Sequence, residues 1–194
     1  MDHYYSKNPN SELKLKKFSQ VILSKDFVFY SSSGVFSKDK IDKGSLILAE
    51  NMKIPKGKVL DIGCGIGVLG IVAAKIHNAK SVMSDINKRS IMLAKKNAKE
   101  NKVDATILQS NLYEKILDND FDVVLSNPPQ NAGKEICFAI IEGAKAHLKE
   151  NGTLQIVARH NKGGNSLSKK MEETFGNVEV IAKQSGYWVY LSRN

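Results

Sequence analysis

The chain has 194 residues, 42% of them hydrophobic and 25% charged, an ordinary globular composition that is long enough for one well-buried core and short for two. No apolar run approaches the roughly 20 residues needed to cross a bilayer, and the opening MDHYYSKNPNSELKLKK has no signal-peptide core, so a soluble, cytoplasmic protein without a membrane partner is expected. The 29 Lys and Arg against 20 Asp and Glu leave a net charge of +9, which suits either a polyanionic partner or simple solubility; Cys64 and Cys137 fit neither a disulfide framework nor a metal-ligand spacing.

Residues 1–17 read as a polar extension, and 18–194 as a single domain. Two short strands are expected between Phe18 and Tyr30, then a turn-rich SSSG at 31–34. IDKGSLILAENM, 41–52, suits a short helix ending before Pro55. From Lys58 onward, short apolar runs alternate with helical patterns. Strands are expected at 59–63, 81–86, 105–110, 121–127 and 153–159, and helices at 68–77, 87–101, 136–148 and 166–175. Such alternation implies crossover connections and a mostly parallel, doubly wound α/β sheet with helices on both faces. The last two runs, 178–183 and 187–191, flank a tight Ser185-Gly186 turn and can only form an antiparallel hairpin, giving a seven-stranded sheet.

The first strand of the alternating region opens into DIGCGIGVLG, 61–70. Gly63, Gly65 and Gly67 permit a tight strand-to-helix turn whose bare backbone can touch a ligand at a helix amino end. The spacing is not a dinucleotide fingerprint, since Val68 stands where the third glycine belongs, nor a P-loop, since Ile71 rather than Lys follows Gly70. A glycine-rich turn without a ligand is the alternative. Asp85 lies 22 residues after Gly63 at the end of the next strand, where a carboxylate can accept both hydroxyls of a ribose; the plainer account makes it the cap of the following helix. Asn111, at the end of the third strand, could bond an adenine edge or simply form a turn.

The fourth strand ends on Asn127-Pro128-Pro129, half of the chain's four prolines. In doubly wound sheets the first and fourth strands lie side by side at the switch point, which puts Asn127 beside the glycine turn. An asparagine stiffened by two prolines presents its side-chain carbonyl and, next to it, the Pro128 carbonyl. Two fixed acceptors match the two N–H bonds of an exocyclic amino group. They can turn the delocalised nitrogen lone pair toward an electrophile held about 3 to 3.5 Å away. Asn127 is no general base; it would orient the amine and stabilise charge developing on it.

Together, DIGCGIGVLG, Asp85 and SNPP resemble the motifs of class I S-adenosylmethionine (AdoMet)-dependent methyltransferases that modify amino groups. GVFSKDKIDKGSLILAE, 34–50, further resembles the segment preceding the glycine motif in the methyltransferase small-domain group, which includes small-subunit ribosomal RNA guanine-N2 methyltransferases. The likeness covers roughly residues 18–192 in motif order and spacing. It implies AdoMet as cofactor, with Phe36, Ser37 and Asp42 closing over its methionine end and Asp61 and Gly63 beneath it. Asp85 would hold the ribose, and Gly65, Gly67, Ile86, Asn111 and Asn127 complete the implied cofactor contacts. Asn127, Pro128 and Pro129 would receive the target amine. Two departures stand out. Where related motifs carry a base-stacking aromatic after the prolines this chain has Gln130, leaving Phe36 or Tyr30 as candidates. Only about 55 residues precede the glycine motif, so docking falls to this domain itself, as a monomer or a homodimer.

Lys88, Lys95 and Lys99 share a helix face with Lys102 just beyond, and Lys14, Lys16, Lys17, Arg159, Lys162, Lys169 and Lys170 add to the positive surface. A solvated face explains such a pattern, and so does RNA docking. His160 and Lys162 could meet phosphate but suit an ordinary loop as well, and Cys64 reads as a small filler. The leading expectation is methylation of an exocyclic amine in RNA, at guanine N2 of ribosomal RNA or tRNA. Adenine N6, a protein glutamine, and a catalytically silent RNA-binding module are the alternatives.

Overall fold

Alternating apolar runs and helices bury a sheet between two helical layers, and the computed structural model describes residues 14–35, 40–129 and 133–194 of that arrangement. A hairpin, β1 (Lys16–Ile22) and β2 (Lys25–Ser31), is followed by α1 (Lys43–Asn51). The alternating region comprises β3 (Lys58–Ile62), α2 (Val68–His77), β4 (Lys80–Asp85), α3 (Lys88–Glu100) and β5 (Ala105–Gln109). It continues with β6 (Phe121–Ser126), α4 (Lys134–His147), β7 (Leu148–Arg159) and α5 (Gly164–Phe175), and closes with β8 (Glu179–Gln184) and β9 (Tyr187–Arg193).

The large sheet runs β5-β4-β3-β6-β7-β9-β8, and β1 and β2 form a separate two-stranded sheet. All pairs from β5 to β7 are parallel, while β9 is antiparallel to both its neighbours. The order reverses between β3 and β6, where Val59 pairs with Val123 and Asp61 with Leu125. This register sets the glycine turn after β3 next to Asn127 after β6. One face of the sheet buries Val59, Val123, Leu125, Val157 and Val189 against α1, α2 and α3; the other buries Leu60, Val124, Ile156 and Tyr190 against α4 and α5.

Two boundaries differ from expectation. β1 starts at Lys16, which pairs with Ser31, so the fold reaches into the segment read as an extension. β7 starts at Leu148 rather than 153, with Asn151 in the left-handed region and a register shift opposite Phe121 and Val123. The polar run KENG carries no alternating pattern to announce a strand.

Side-chain amides complete the edges that backbone pairing leaves open. Asn97 on α3 and Asn101 at its carboxyl cap lie one turn apart and face alternate residues of β2. Asn97 accepts from the Tyr30 N–H (2.7 Å) and donates to the carbonyls of Tyr30 (3.0 Å) and Ile66 (2.9 Å). Asn101 accepts from the Val28 N–H (3.1 Å) and donates to its carbonyl (2.7 Å). The two amides thus act as a short surrogate strand, and Asn97 also ties the glycine turn to the hairpin. Asn97→Ala should lower unfolding stability by about 3 kcal/mol in urea titration, because it strips partners from three backbone groups.

Candidate active site

A cleft opens at the carboxyl ends of β3, β4 and β6, where Gly63, Gly65, Asp85, Asn111, Asn127 and Pro128 all contribute to its wall. Gly63 (φ 69°) and Gly65 (φ 55°) adopt the left-handed region, and a methyl group added at either would meet nothing within 4 Å. The backbone there is bare toward the cleft. Gly67 differs. A side chain on it would press at 3.2 Å on Ala94, Ile71 and Met83, so this glycine faces inward and lets α2 pack against α3 and β4; it does not line the cleft as expected.

Two buried carboxylates brace the turn. Asp61, 1% exposed, accepts from the Gly70 N–H at 2.9 Å, supplying the first turn of α2 with the acceptor that its Gly67 cap lacks. Asp85 accepts from the Gly65 N–H and the Asn87 N–H, both at 2.8 Å. The cap of α3 is Asn87, whose Oδ1 accepts from Arg89 (2.9 Å) and Ser90 (3.3 Å), which corrects the reading of Asp85 as the cap. Every carboxylate oxygen has two lone pairs, so Asp85 can still accept from a ligand hydroxyl. Burial pushes the Asp61 carboxyl up to about 7, with the charge of Asp85 adding and the Gly70 N–H opposing. Burial likewise raises Asp85 to about 6 against three backbone N–H bonds. Burial, and behind it the charges of Asp61 and Asp85, also raises the Cys64 thiol, consistent with an inert packing residue.

Ile86 lines the cleft, and its carbonyl accepts from Gln109 Nε2 at 2.8 Å. Asn111 donates to Glu114 Oε1 at 2.6 Å, which fixes its amide within its own turn at the cleft edge.

On the opposite wall, Asp42 caps α1 by accepting from the Ser45 N–H at 2.9 Å. The same Oδ1 accepts from Asn127 Nδ2 at 2.8 Å, and Ser45 Oγ takes a second bond from that nitrogen at 3.0 Å. A carboxylate accepts only, so the nitrogen of the Asn127 amide must face it. Both amide N–H bonds are engaged, and Oδ1 is left as the acceptor beside Pro128 and Pro129 on the cleft wall. Asp42, expected at the methionine end of the cofactor, lines the cleft and also orients the proposed amine acceptor. Ser45 was not singled out in the sequence, although an Asp-x-x-Ser start to a helix is the pattern that brings it there. The apolar wall formed by Leu112, Ile136 and Ile140 was missed too, because nothing in an amphipathic helix says which face meets a ligand.

Phe36, Ser37 and Gln130 lie outside the described residues. Tyr30 is no stacking group for this cleft: its ring lies beneath Lys96 (4.1 Å) and Lys17 (5.4 Å) against α3, and it does not line the wall. Lys95, Lys99 and Lys102 border a shallow groove between α3 and β5. His160 opens a single 3-10 turn, stacks on Trp188 at 3.6 Å and bonds the Tyr190 hydroxyl through Nδ1 at 2.8 Å. No helix among the described residues is long and apolar enough to cross a membrane.

This strand order, with a bare glycine turn, an acidic residue ending the next strand and an amide at the switch point, defines a class I AdoMet-dependent methyltransferase fold and cofactor cleft. The chain matches the methyltransferase small domain over residues 26–191 and belongs to that family. It is 37% identical over 193 residues to the uncharacterized protein YbxB of Bacillus subtilis, covering 97% of this chain and 96% of the relative. It is 35% identical over 201 residues to ribosomal RNA small subunit methyltransferase C of Haemophilus influenzae, covering 99% of this chain but 59% of that protein. Among solved structures, the T. thermophilus 16S rRNA N2 methyltransferase RsmC, in complex with AdoMet and guanosine, superposes with a TM-score of 0.83 at 26% identity. That match covers 96% of this chain and 52% of the other. The chain therefore spans little more than half the length of these two methyltransferases.

The cleft suits AdoMet on its own chemistry. Bare glycine backbone admits close approach, and buried acceptors at Asp61 and Asp85 match hydroxyl donors and positive charge. The raised carboxyls also set a pH dependence. Between about pH 4 and 7 the folded chain binds more protons at Asp61 and Asp85 than the unfolded chain does, so their contribution to stability is complete below the ordinary value of 3.8 and is lost as pH rises through about 6 to 7. In cofactor-free protein, Asp85→Asn should flatten the fall in urea midpoint between pH 5 and 7 relative to the parent.

Proposed function

We propose that this protein transfers a methyl group from AdoMet to an exocyclic amino group of a base in RNA, with guanine N2 of ribosomal RNA the first candidate. The observation that carries this reading is the fixed Asn127 amide, its nitrogen held by Asp42 and Ser45. The relatives' names support the RNA class, and the net charge of +9 suits a polyanion.

AdoMet supplies the electrophilic methyl group. Asp85 would hold the ribose hydroxyls, the Gly63–Gly65 backbone would leave room for the cofactor, and Ile86 and Asn111 would be on hand for its base. Asn127 Oδ1 and the Pro128 carbonyl each accept one N–H of the target amine. That pairing aims the nitrogen lone pair into the cleft and places negative oxygen where the nitrogen becomes positive. No side chain is asked to remove the proton, which passes to water once the nitrogen has become acidic.

The test incubates the protein with labelled AdoMet and, separately, RNA, DNA and total protein. Label confined to RNA, reduced at least a hundredfold in Asn127→Ala even at saturating AdoMet, is the expected outcome. Label in protein would point to a glutamine amide, and cofactor binding without transfer to a silent module. Asp85→Ala should weaken AdoMet binding at least tenfold, about 1.4 kcal/mol by calorimetry; equal affinity would remove Asp85 from the ribose.

A further inference from the structure

The Asn127 acceptor deals with one edge of a base, but a base drawn out of a stack also loses its stacking surface. Position 130, directly after the prolines, is a glutamine. Several aromatics elsewhere are committed. Phe27, Phe29, Phe121 and Tyr190 are fully buried, Tyr113 is stacked on His147, and Trp188 on His160.

Tyr187 is placed differently. It opens β9 at the carboxyl edge of the parallel strands and pairs in register with Arg159, the last residue of β7. Alternation along β6, β7 and β9 sends Leu125, Val157 and Val189 to the α1 face, and therefore Asn127, Arg159 and Tyr187 to that same face. All gather around the amino end of α1, Tyr187 and Arg159 beside the cleft rather than in its wall, next to the segment that carries Asp42 and Ser45. A methyl group placed on Gly44 would lie 3.2 Å from Cε1 of Tyr187 and 3.3 Å from Nδ2 of Asn127, so only the width of a glycine separates ring and amide. The Arg159 guanidinium lies 5.1 Å from the centre of the Tyr187 ring, and Arg159 is exposed while Tyr187 is half-buried.

We propose that Tyr187 and Arg159 form the nucleic-acid wall of the site: the Tyr187 ring is the stacking surface for a base presented to Asn127, and Arg159 pairs with a neighbouring phosphate. This rests on the RNA reading above and adds the residues that select a base over an aliphatic amide. The guanidinium would serve twice, lying 5.1 Å from the ring centre while its N–H groups suit phosphate oxygens.

The test compares Tyr187→Leu, Tyr187→Phe and Arg159→Gln with the parent. It measures anisotropy of a fluorescein-labelled single-stranded RNA 20-mer of mixed sequence, methyl transfer to deproteinised ribosomal RNA, AdoMet affinity and thermal midpoint. Tyr187→Leu should weaken RNA binding and raise the RNA KM by about fivefold or more, the loss of one stacked base, while Tyr187→Phe stays near the parent. Arg159→Gln should reduce the slope of log affinity against log salt by about 0.7, one phosphate on a single strand. AdoMet affinity and midpoint should be unchanged, which a merely structural role for Tyr187 would not allow. If the parent methylates RNA and Tyr187→Leu matches it in RNA affinity and KM, the wall is wrong and the RNA reading stands. A parent that neither binds nor labels RNA overturns both.

Discussion

One carboxylate oxygen, Oδ1 of Asp42, decides how the site is built. It receives the Ser45 N–H that begins α1 and the Nδ2 of Asn127 that ends β6, so the start of a helix and the end of a core strand are fixed to the same atom. Without that anchor an asparagine after a strand could present either end of its amide outward. With it, rotation by half a turn would bring Oδ1 against the Asp42 carboxylate, a repulsion between acceptors that a hydrogen bond from the Ser45 hydroxyl would only partly offset. Pro128 and Pro129 then stiffen the chain beyond the amide, since neither carries a backbone N–H and both restrict φ.

The same device, an amide or carboxylate closing on the backbone of a distant segment, recurs through the fold. Gln155 accepts from the Lys53 N–H and donates to its carbonyl, at 2.9 and 2.7 Å, which fastens the far end of α1 to β7. Asn177 does the same for Arg193 at the end of β9. With Asn97 on β2, these contacts tie elements together where backbone pairing stops, Asn97 near the cleft and Asn177 at the opposite edge of the sheet. A side-chain amide carries one donor group and one acceptor and so copies a peptide unit, which makes it the economical choice at an edge.

Much of the architecture was legible in the sequence because it follows from periodicity. Apolar runs such as VLDI and FDVVL can only be core strands when helical patterns separate them, and a two-residue Ser-Gly link leaves a hairpin as the sole geometry. Asn127, Asp85 and the glycine turn were legible because Pro and Gly impose backbone constraints with few other uses. Partnerships between residues far apart were not. That Gly67 faces Met83 and Ala94, that Asn87 rather than Asp85 caps α3, and that Asn97 replaces a strand each depend on which face a side chain takes after packing, and Asn97 sits mid-helix where only its burial shows its purpose. Tyr187 was equally silent, as a strand aromatic beside a turn is most simply a packing residue.

The charge distribution gives these pieces a common logic. A chain with a surplus of nine positive charges nevertheless places two buried carboxylates, Asp61 and Asp85, at the floor of its cleft. Their ionised form is costly there, as the raised carboxyls show, and it is favoured when donors or positive charge arrive. The basic residues lie elsewhere: Lys95, Lys99 and Lys102 on the α3 groove and Arg159 at the sheet edge. The α3 lysines follow that helix away from the cleft, to the amino end of β5, so of these bases only Arg159 stands at the carboxyl edge of the sheet where the cleft opens. Under the proposed function, a polyanionic substrate would meet Arg159 at this edge and a cationic cofactor the carboxylates on the floor, so the two would approach the amide of Asn127 without competing for the same charges.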